Sequence, residues 1–244
     1  MNSFLIALQF ITIIPIKKEL DYSEKNIAKS MLYYPIIGTI IGLILILINT
    51  LGTYILPDLI VNSLLLIFFV LLTGGIHMDG LADTIDGIFG GNDKKSRLKI
   101  MQDSNIGVYG VTAVILLLIF KFSLLIELPL DQKNLILLVT PTISRWAMVI
   151  AVYLFPYAKE DGFGKAFKLY LSRREVWGAT IWTFILTLIT FFLKGSLILI
   201  ISFTVIWLFC HLITKKIDGL TGDNYGALNE IMEVVILFIF ILIY

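Results

Sequence analysis

The amino-acid sequence predicts an all-α fold, a polytopic bundle of membrane helices that forms a single domain over residues 1–244. Three observations carry this prediction: 58% of the residues are hydrophobic, only 15% are charged, and the mean hydropathy is +0.94. Soluble domains usually contain about a quarter charged residues, so the composition is typical of a protein that is surrounded by a lipid bilayer. The net charge of +1 gives no global attraction to nucleic acid, and we expect no nucleic-acid partner.

The apolar stretches that are long enough to cross about 30 Å of hydrocarbon predict about seven transmembrane helices. They lie at about residues 32–55, 60–79, 106–126, 135–155, 176–193, 197–214 and 229–244. Residues 1–16 form a further apolar segment that is short and ends near Pro15. It could form an interfacial or re-entrant helix rather than a span, and the sequence leaves open whether it crosses the membrane.

Basic residues lie mainly on one side of this seven-span arrangement. Of the 19 lysine and arginine residues, 15 fall in four segments that share this side: 17–29, 94–99, 159–174 and 215–216. The loops on the opposite side hold only Lys133 and Lys194. Because cytoplasmic loops are enriched in lysine and arginine, we predict a multi-pass protein of the cell membrane whose basic side faces the cytoplasm.

The most informative motif is Thr73-Gly-Gly-Ile-His-Met-Asp-Gly-Leu-Ala-Asp-Thr-Ile-Asp-Gly87, at the cytoplasmic end of the second predicted span. On a helix its acids Asp79, Asp83 and Asp86 fall within about 60° of one another. Three like charges on one face repel unless a cation lies among them. A divalent metal ion that holds a phosphate-rich substrate would neutralise them. The alternative interpretation is a solvated acidic helix end.

Further acids lie on the same side of the membrane. Asp223, Glu230 and Glu233 enter the last span, and Asp103 precedes the third. Acids in or near a membrane are costly and by default mark a functional site. Hard cations such as Mg²⁺ bind carboxylate oxygens together with substrate phosphates, so these acids favour a metal-dependent reaction of a diphosphate.

Basic side chains complete the predicted phosphate site. Arg145 lies in an apolar span, where a guanidinium needs a partner: a substrate phosphate, or an acid in a structural ion pair. The segment Gly162-Phe-Gly-Lys165, with Lys159 before it, is typical of backbone that approaches a ligand closely, although a flexible loop needs the same residues.

These patterns indicate a membrane-embedded, metal-dependent enzyme that acts on a phosphate-containing substrate at the cytoplasmic face. A cation or proton transporter is the competing class. Transporters place coupling acids near the middle of the bilayer, whereas the acids here crowd one interface. That distribution favours an enzyme.

The segment from Gly74 to Gly87 resembles the cobalamin synthase family, the adenosylcobinamide-GDP ribazoletransferases. The family's pattern there is Gly-Gly-x-His-Leu-Asp-Gly-Leu-Ala-Asp-Thr-x-Asp-Gly, from which only Met78 departs. The other similar segments cover nearly the whole chain: Phe10–Ile16, Tyr34–Gly38, Ile100–Gly107, Ser144-Arg145, Tyr157–Gly164 and Thr221–Glu233. Gln102 and Asn105 stand where a basic residue is common in the family.

The resemblance implies an enzyme that joins adenosylcobinamide-GDP to α-ribazole, or to its 5′-phosphate, and releases GMP with Mg²⁺ as cofactor. The implied metal ligands, some of which could instead support the others, are Asp79, Asp83, Asp86, Asp223, Glu230 and Glu233. The catalytic candidates are Asp83, Asp86, Asp103 and His77, of which His77 is either a base or a group that orients Asp79 or caps the helix. The candidates for contact with substrate phosphates are Arg145, Lys159 and Lys165.

CDP-alcohol phosphotransferases are an alternative with the same type of reaction. Their pattern, Asp-x-x-Asp-Gly-x-x-Ala-Arg, begins well at Asp83 but fails at Ile88-Phe-Gly-Gly91. The two families differ in donor and acceptor. CDP-alcohol phosphotransferases use a CDP-activated donor and a lipid-like alcohol, whereas cobalamin synthases use a corrinoid-GDP and α-ribazole. Whether the chain forms a homo-oligomer is left open by the sequence.

Overall fold

The computed structural model describes residues 2–159 and 162–244. It is 80% helical. The α-helices, in chain order, are α1 (Asn2–Ile11), α2 (Glu24–Ser30), α3 (Tyr34–Gly52), α4 (Asp58–Leu71), α5 (Ile76–Gly90), α6 (Lys94–Ile100), α7 (Val108–Glu127), α8 (Lys133–Leu154), α9 (Phe163–Tyr170), α10 (Arg173–Ile217) and α11 (Gly222–Ile243). No strand occurs within these two described ranges, and an isolated parallel bridge joins Tyr157 to Leu220. The all-α prediction is confirmed.

Length and composition allow five helical segments of the described chain to cross a membrane, which fits a polytopic bundle. They are the continuous helical segment Glu24–Gly52 with α7, α8, α10 and α11. Helices α4 and α5 together make a sixth candidate, although they are bent by 77°. The ten residues of α1 extend only about 15 Å, which is too short to cross the hydrocarbon.

Helix α10 is a helical hairpin. Its 45 residues are interrupted at Phe192, where φ is 49° and ψ is −129°. A methyl group added to Gly195 would lie 2.6 Å from the Thr187 carbonyl oxygen, whereas a continuous helix would separate these residues by roughly 12 Å. The two arms correspond to the predicted spans 176–193 and 197–214. When these arms are counted separately, and α4 with α5 as one, the helices make seven candidate spans, the number that the sequence predicts.

The predicted span 60–79 is divided between two helices. After α4 the chain turns through Gly74 and Gly75, whose φ angles of 63° and 75° disfavour any residue with a β-carbon. Helix α5 then begins at Ile76 and packs against α11 and α7. The acidic motif therefore lies on a helix of its own rather than at the end of a straight span.

Helix α8 lies at the centre of the bundle, since 89% of the residues in its 18-residue apolar stretch are buried, compared with 22% for α7. Helix α3 packs closely on it through two glycines. A methyl group at Gly42 would lie 2.8 Å from the Leu137 carbonyl oxygen, and one at Gly38 would overlap the carbonyl of Pro141. Small residues four apart allow membrane helices to approach in this way. Helices α3, α8, α11 and α5 thus form the frame that carries the site.

Candidate active site

A cleft of about 500 Å³ lies where α5 meets the first turn of α11. Its charged lining residues are Asp79 on α5, Asp223 on α11 and Lys159, which follows α8. Its aromatic lining residues are Phe10, Tyr34, Tyr157, Phe167 and Tyr225. Two predicted metal ligands and one predicted phosphate contact, far apart in sequence, are therefore brought to one cavity.

Two glycines allow the backbones of α5 and α11 to touch beside this cleft. A methyl group on Gly80 would lie 2.7 Å from the Asp223 carbonyl oxygen, and one on Gly226 would lie 3.2 Å from Cα of His77. The contact at Gly226 is tight, whereas the approach at Gly80 is closer than a β-carbon tolerates, so glycine is needed there. Because Gly80 follows Asp79, this contact fixes Asp79 next to Asp223.

Asp83 belongs to the same group of charges. It lies one turn after Asp79, is partly buried, and interacts electrostatically with Asp79, Asp223 and Asp86 and with the oppositely charged Lys159. We call Asp79, Asp83 and Asp223 the acidic cluster. When all three are ionised, Lys159 balances only one of their charges, and the excess negative charge attracts a cation.

Lys159 and the cap of α11 orient Asp223. The Lys159 ammonium lies 3.3 Å from Oδ2 of Asp223, to which the Thr221 hydroxyl donates at 3.0 Å. Thr221 also caps the helix, because its N–H donates to Asn224 Oδ1 at 2.8 Å and its hydroxyl accepts from the Asn224 N–H. The Asn224 amide in turn donates to the Thr84 hydroxyl of α5 at 2.9 Å.

Thr84 and Asn224 join the two acid-bearing helices, a role that was not predicted from the sequence. The pattern Thr-x-x-Asn before an apolar run is a helix-cap signal that could have identified Asn224. Thr84 carries no such signal, since its role depends on which helix packs against it.

Asp86 binds backbone N–H groups at the start of α7. It is buried, and its carboxylate accepts the backbone N–H groups of Gly107 at 2.7 Å and Gly110 at 2.9 Å. These groups begin α7, so the charge also interacts favourably with the helix dipole. Both oxygens are occupied, and the geometry supports a structural role in place of the predicted metal-binding or catalytic one.

Asp103 lies on the surface. Its Oδ1 accepts from the backbone and side-chain N–H groups of Asn105, at 2.9 and 2.8 Å. These two bonds, of which the backbone bond has the larger effect, hold the pKa of Asp103 below its usual range. Its neighbour Gln102 lines the cleft, but Asp103 closes a local turn. Its predicted catalytic role is not supported by this placement.

Four charged side chains form a second group inside the bundle, the ion-pair cluster: Lys121, Arg145, Glu230 and Glu233. The Lys121 ammonium lies 2.7 Å from both Glu230 Oε2 and Glu233 Oε2. Arg145 donates to Glu233 Oε1. All four residues are at most 2% exposed.

The contacts of Glu230 and Glu233 in the ion-pair cluster differ from the metal-binding role that was predicted for them. Glu230 and Glu233 accept from cations, so their geometry supports the helices rather than a metal ion. Of the two partners predicted for Arg145, a substrate phosphate or an acid, the structure shows an acid, Glu233. Lys121 was missed, although a lone lysine within an apolar span signals a buried partner.

His77 is 3% exposed, and its Nδ1 lies 3.1 Å from the Asn229 side-chain nitrogen. Asn229 also lies 3.4 Å from Glu233 Oε1. His77 therefore links α5 to the neighbourhood of the ion-pair cluster. This differs from each role predicted for it, as base, as partner of Asp79 or as helix cap.

The segment after α8 contributes backbone to the cleft. Gly162, with a φ of 115°, and Gly164 both line it, and a methyl group on Gly162 would lie 2.9 Å from the Tyr157 hydroxyl oxygen. Lys165 follows as an exposed residue of α9 and does not contribute to the described lining. Glu160 and Asp161 of this predicted loop lie outside the described residues.

No three acidic, histidine or cysteine side chains in the two described ranges stand close enough to hold a metal ion unaided. The acidic cluster nevertheless presents hard oxygen donors at one cleft. Mg²⁺ is usually held by one or two carboxylates, several waters and the substrate's own phosphates. These donors suit a metal ion that arrives with a phosphate substrate.

The chain is similar to known proteins along nearly its whole length. A family model described as cobalamin-5-phosphate synthase matches residues 3–241. The adenosylcobinamide-GDP ribazoletransferase of Desulforamulus reducens is 36% identical over 99% of this chain and 96% of its own length. Relatives of the same name from Clostridium botulinum and Fusobacterium nucleatum are 37% and 35% identical over 99% and 100% of this chain, and 98% of each relative. No solved structure matches. The chain belongs to the cobalamin-5-phosphate synthase family.

Proposed function

We propose that this protein is an adenosylcobinamide-GDP ribazoletransferase that requires Mg²⁺. It joins adenosylcobinamide-GDP to α-ribazole, or to its 5′-phosphate, and releases GMP. The names of full-length relatives support this reaction. The observation in the structure that supports it best is the meeting of Asp79, Asp223 and Lys159 at one cleft that aromatic residues also line.

The chemistry of the reaction matches these side chains. A ribose hydroxyl of α-ribazole attacks the phosphorus that carries the corrinoid's aminopropanol arm, and the bond from that phosphorus to GMP breaks. A carboxylate of the acidic cluster takes the hydroxyl proton. Lys159, which is only partly buried beside Asp223, exchanges that partner for a phosphate oxygen and helps to position the diphosphate.

Asp79, Asp83 and Asp223 are the proposed Mg²⁺-binding residues. Bound there, the ion would neutralise charge on the diphosphate and on the departing GMP. Asp86, Glu230 and Glu233 are left out of this set, because their carboxylates already accept backbone N–H groups or buried cations.

We place the cleft on the cytoplasmic side of the cell membrane. Lys159 and the exposed Lys165 belong to segments that the positive-inside rule assigns to the cytoplasm, and nucleotide substrates are available there. Transport of cations is not favoured, because the buried acids Glu230 and Glu233 are balanced by Lys121 and Arg145. Small molecules and the bilayer are the proposed partners.

The test is release of GMP by detergent-purified protein supplied with adenosylcobinamide-GDP, α-ribazole and Mg²⁺. The wild type is expected to form GMP and a cobalamin product in equal amounts. Asp83→Asn is expected to lose most of this activity, whereas Asp131→Asn, an exposed acid between α7 and α8, is expected to keep it. No GMP from folded wild-type protein with either form of α-ribazole would refute the assignment, and CDP-activated lipids would be tested next.

A further inference from the structure

A second cavity of about 510 Å³ lies between α8 and the α10 hairpin, and none of its described lining residues belongs to the cleft. Its lining includes Trp146, Ile150 and Leu154 of α8 and Arg173, Trp177 and Thr180 of the first arm of α10. Residues three or four positions apart share one face of a helix. The cavity is therefore a groove that runs along both helices, and we call it the α8–α10 groove.

The α8–α10 groove is open to the surroundings of the bundle. Trp177 is 64% exposed, Leu154 is 47% exposed, and Phe203, which lines the groove from the second arm of α10, is 43% exposed. Both helices are candidate spans, so these apolar side chains face lipid in a membrane. From Arg173 to Thr180 the groove extends about 10 Å, which is less than the roughly 15 Å of hydrocarbon in one leaflet. Its length therefore suits the upper part of an acyl chain.

Positive charge lies at one end of this groove. Arg173 begins α10, is exposed, and forms no ion pair within residues 2–159 and 162–244. The acid next to it on the helix, Glu175, is buried and accepts the Ser172 N–H at 3.1 Å in the helix cap. Lys168 of α9 donates to the carbonyl oxygen of Tyr153, another lining residue, at 2.8 Å. The groove thus combines an apolar channel with a guanidinium that is free to bind an anion.

We propose that the α8–α10 groove binds an anionic phospholipid, with its phosphate against Arg173 and one acyl chain between Leu154 and Trp177. A guanidinium matches the geometry of a phosphate, and tryptophan is typical of the membrane interface. Arg173 belongs to the basic segments that are assigned to the cytoplasmic side, where anionic lipids attract lysine and arginine. This inference goes beyond the proposed reaction and does not depend on it.

Two other occupants are less well matched to the groove. A zwitterionic lipid brings its own cationic group to an end of the groove that already carries Arg173, with Arg174 beside it, and like charges repel. A second copy of this chain, paired through a two-fold axis, would place the same surface patch on both sides of the interface. No acid belongs to the described lining, so the two Arg173 side chains would face each other without a counter-charge.

The test measures lipid binding by native mass spectrometry of delipidated protein in detergent. Dioleoylphosphatidylglycerol, which is anionic, is expected to bind wild type more tightly than dioleoylphosphatidylcholine, which is zwitterionic. Arg173→Gln is expected to weaken phosphatidylglycerol binding about fivefold, the effect of one basic residue near a membrane surface, and to leave phosphatidylcholine binding unchanged. Arg174→Gln is the matched control, because it removes the same charge from an exposed neighbour outside the described lining. Its effect is expected to stay within about twofold.

A second measurement locates the acyl chain. Phosphatidylglycerol with brominated chains quenches the fluorescence of tryptophan residues that it contacts. Trp177→Phe is expected to reduce the part of the quenching that saturates with lipid. Trp207→Phe, at a half-exposed tryptophan of the second arm outside the described lining, is expected to leave that part unchanged.

Three results would overturn the proposal. Equal affinity for the two lipids, or equal weakening by Arg173→Gln and Arg174→Gln, would mean that Arg173 does not bind the headgroup. Saturable quenching that Trp177→Phe leaves intact would place the lipid elsewhere. A dimer that Arg173→Gln strengthens would assign the groove to a second copy. None of these measurements uses release of GMP, so the proposed function and this inference can fail separately.

Discussion

The acidic cluster and the ion-pair cluster both place acids of α11 against neighbouring helices, but their surroundings differ. In the acidic cluster, the side chains of Asp223 and Lys159 remain 26% and 20% exposed, and one lysine faces three acids. In the ion-pair cluster, Glu230 and Glu233 are at most 2% exposed and are matched by two buried cations. One group is open and negative, and the other is closed and neutral.

This difference explains how one helix can serve both chemistry and stability. Asp223 in the first turn of α11 keeps unbalanced charge at a cavity, where a cation and a phosphate can be bound. Glu230 and Glu233 lie two to three turns further along, where an unpaired charge would be costly. Removing one partner of a buried ion pair leaves such a charge. The two clusters should therefore respond oppositely to substitution.

The largest expected effect is on stability, from Lys121→Met. Glu230 and Glu233 lose the ammonium that lies 2.7 Å from each, and breaking a buried pair costs about 3–5 kcal/mol. Thermal unfolding in detergent is expected to show a much lower midpoint. Lys194→Met, at an exposed lysine, is the control and is expected to change the midpoint little.

A second substitution sharpens this test. Adding Glu230→Gln to Lys121→Met removes one buried negative charge and restores the charge balance with Arg145. We expect the double variant to recover part of the lost midpoint. A double variant less stable than either single variant would show that charge balance is not what the ion-pair cluster provides.

The next effect is on activity, from Asp79→Asn. Loss of one group that stabilises a transition state electrostatically, such as an oxyanion-hole donor, lowers the rate by about 10²–10³-fold, and we expect a loss of this order here. The thermal midpoint is expected to stay the same or rise, because a like charge next to Asp83 is lost. The Mg²⁺ concentration for half-maximal GMP release should also increase. Full activity combined with reduced stability would place Asp79 in a structural role.

A smaller stability effect is expected from Gly80→Ala, which tests how the acidic cluster is held together. The added methyl group would lie 2.7 Å from the Asp223 carbonyl oxygen, so α5 and α11 must separate. Overpacking of this kind costs about 1–3 kcal/mol, and a displacement near 1 Å at a reacting centre lowers the rate about 10²-fold. Gly90→Ala is the matched control, because its methyl group would lie 3.4 Å from Ile100 Cδ1. Equal losses in both variants would contradict the prediction.

The long helices were largely predictable because each contains a long apolar run, whereas the short polar helices α2, α6 and α9 were not predicted. The turns between the long helices depend on backbone angles. The run 60–79 reads as one span, yet Gly74 and Gly75 adopt left-handed angles and divide it into α4 and α5. A Gly-Gly pair permits such a turn without requiring it. The reversal at Phe192 was easier to anticipate, because Lys194 and Gly195 interrupt the apolar pattern.

The site was predictable as a set of charges but not as a set of contacts. Helical spacing correctly puts Asp79 and Asp83 on one face, and packing brings Asp223 and Lys159 to them. The same spacing also groups Asp86 with the other acids of α5. Its actual partners, the N–H groups that begin α7, depend on tertiary packing. The partners of Glu230 and Glu233 depend in the same way on where α7 places Lys121.

The smallest effect is expected at Asp103, for which the resemblance implies a catalytic role. Its pKa is lowered by hydrogen bonds from Asn105, so any stability it contributes is present above the usual pKa of aspartate. That contribution is lost only as the pH falls through the lowered pKa, and a neutral-pH assay does not sense it. Asp103→Asn is expected to release GMP within about twofold of wild type, as surface substitutions usually do. A loss of tenfold or more would mean that this turn, whose neighbour Gln102 already lines the cleft, moves onto the substrate and joins the open, negative group.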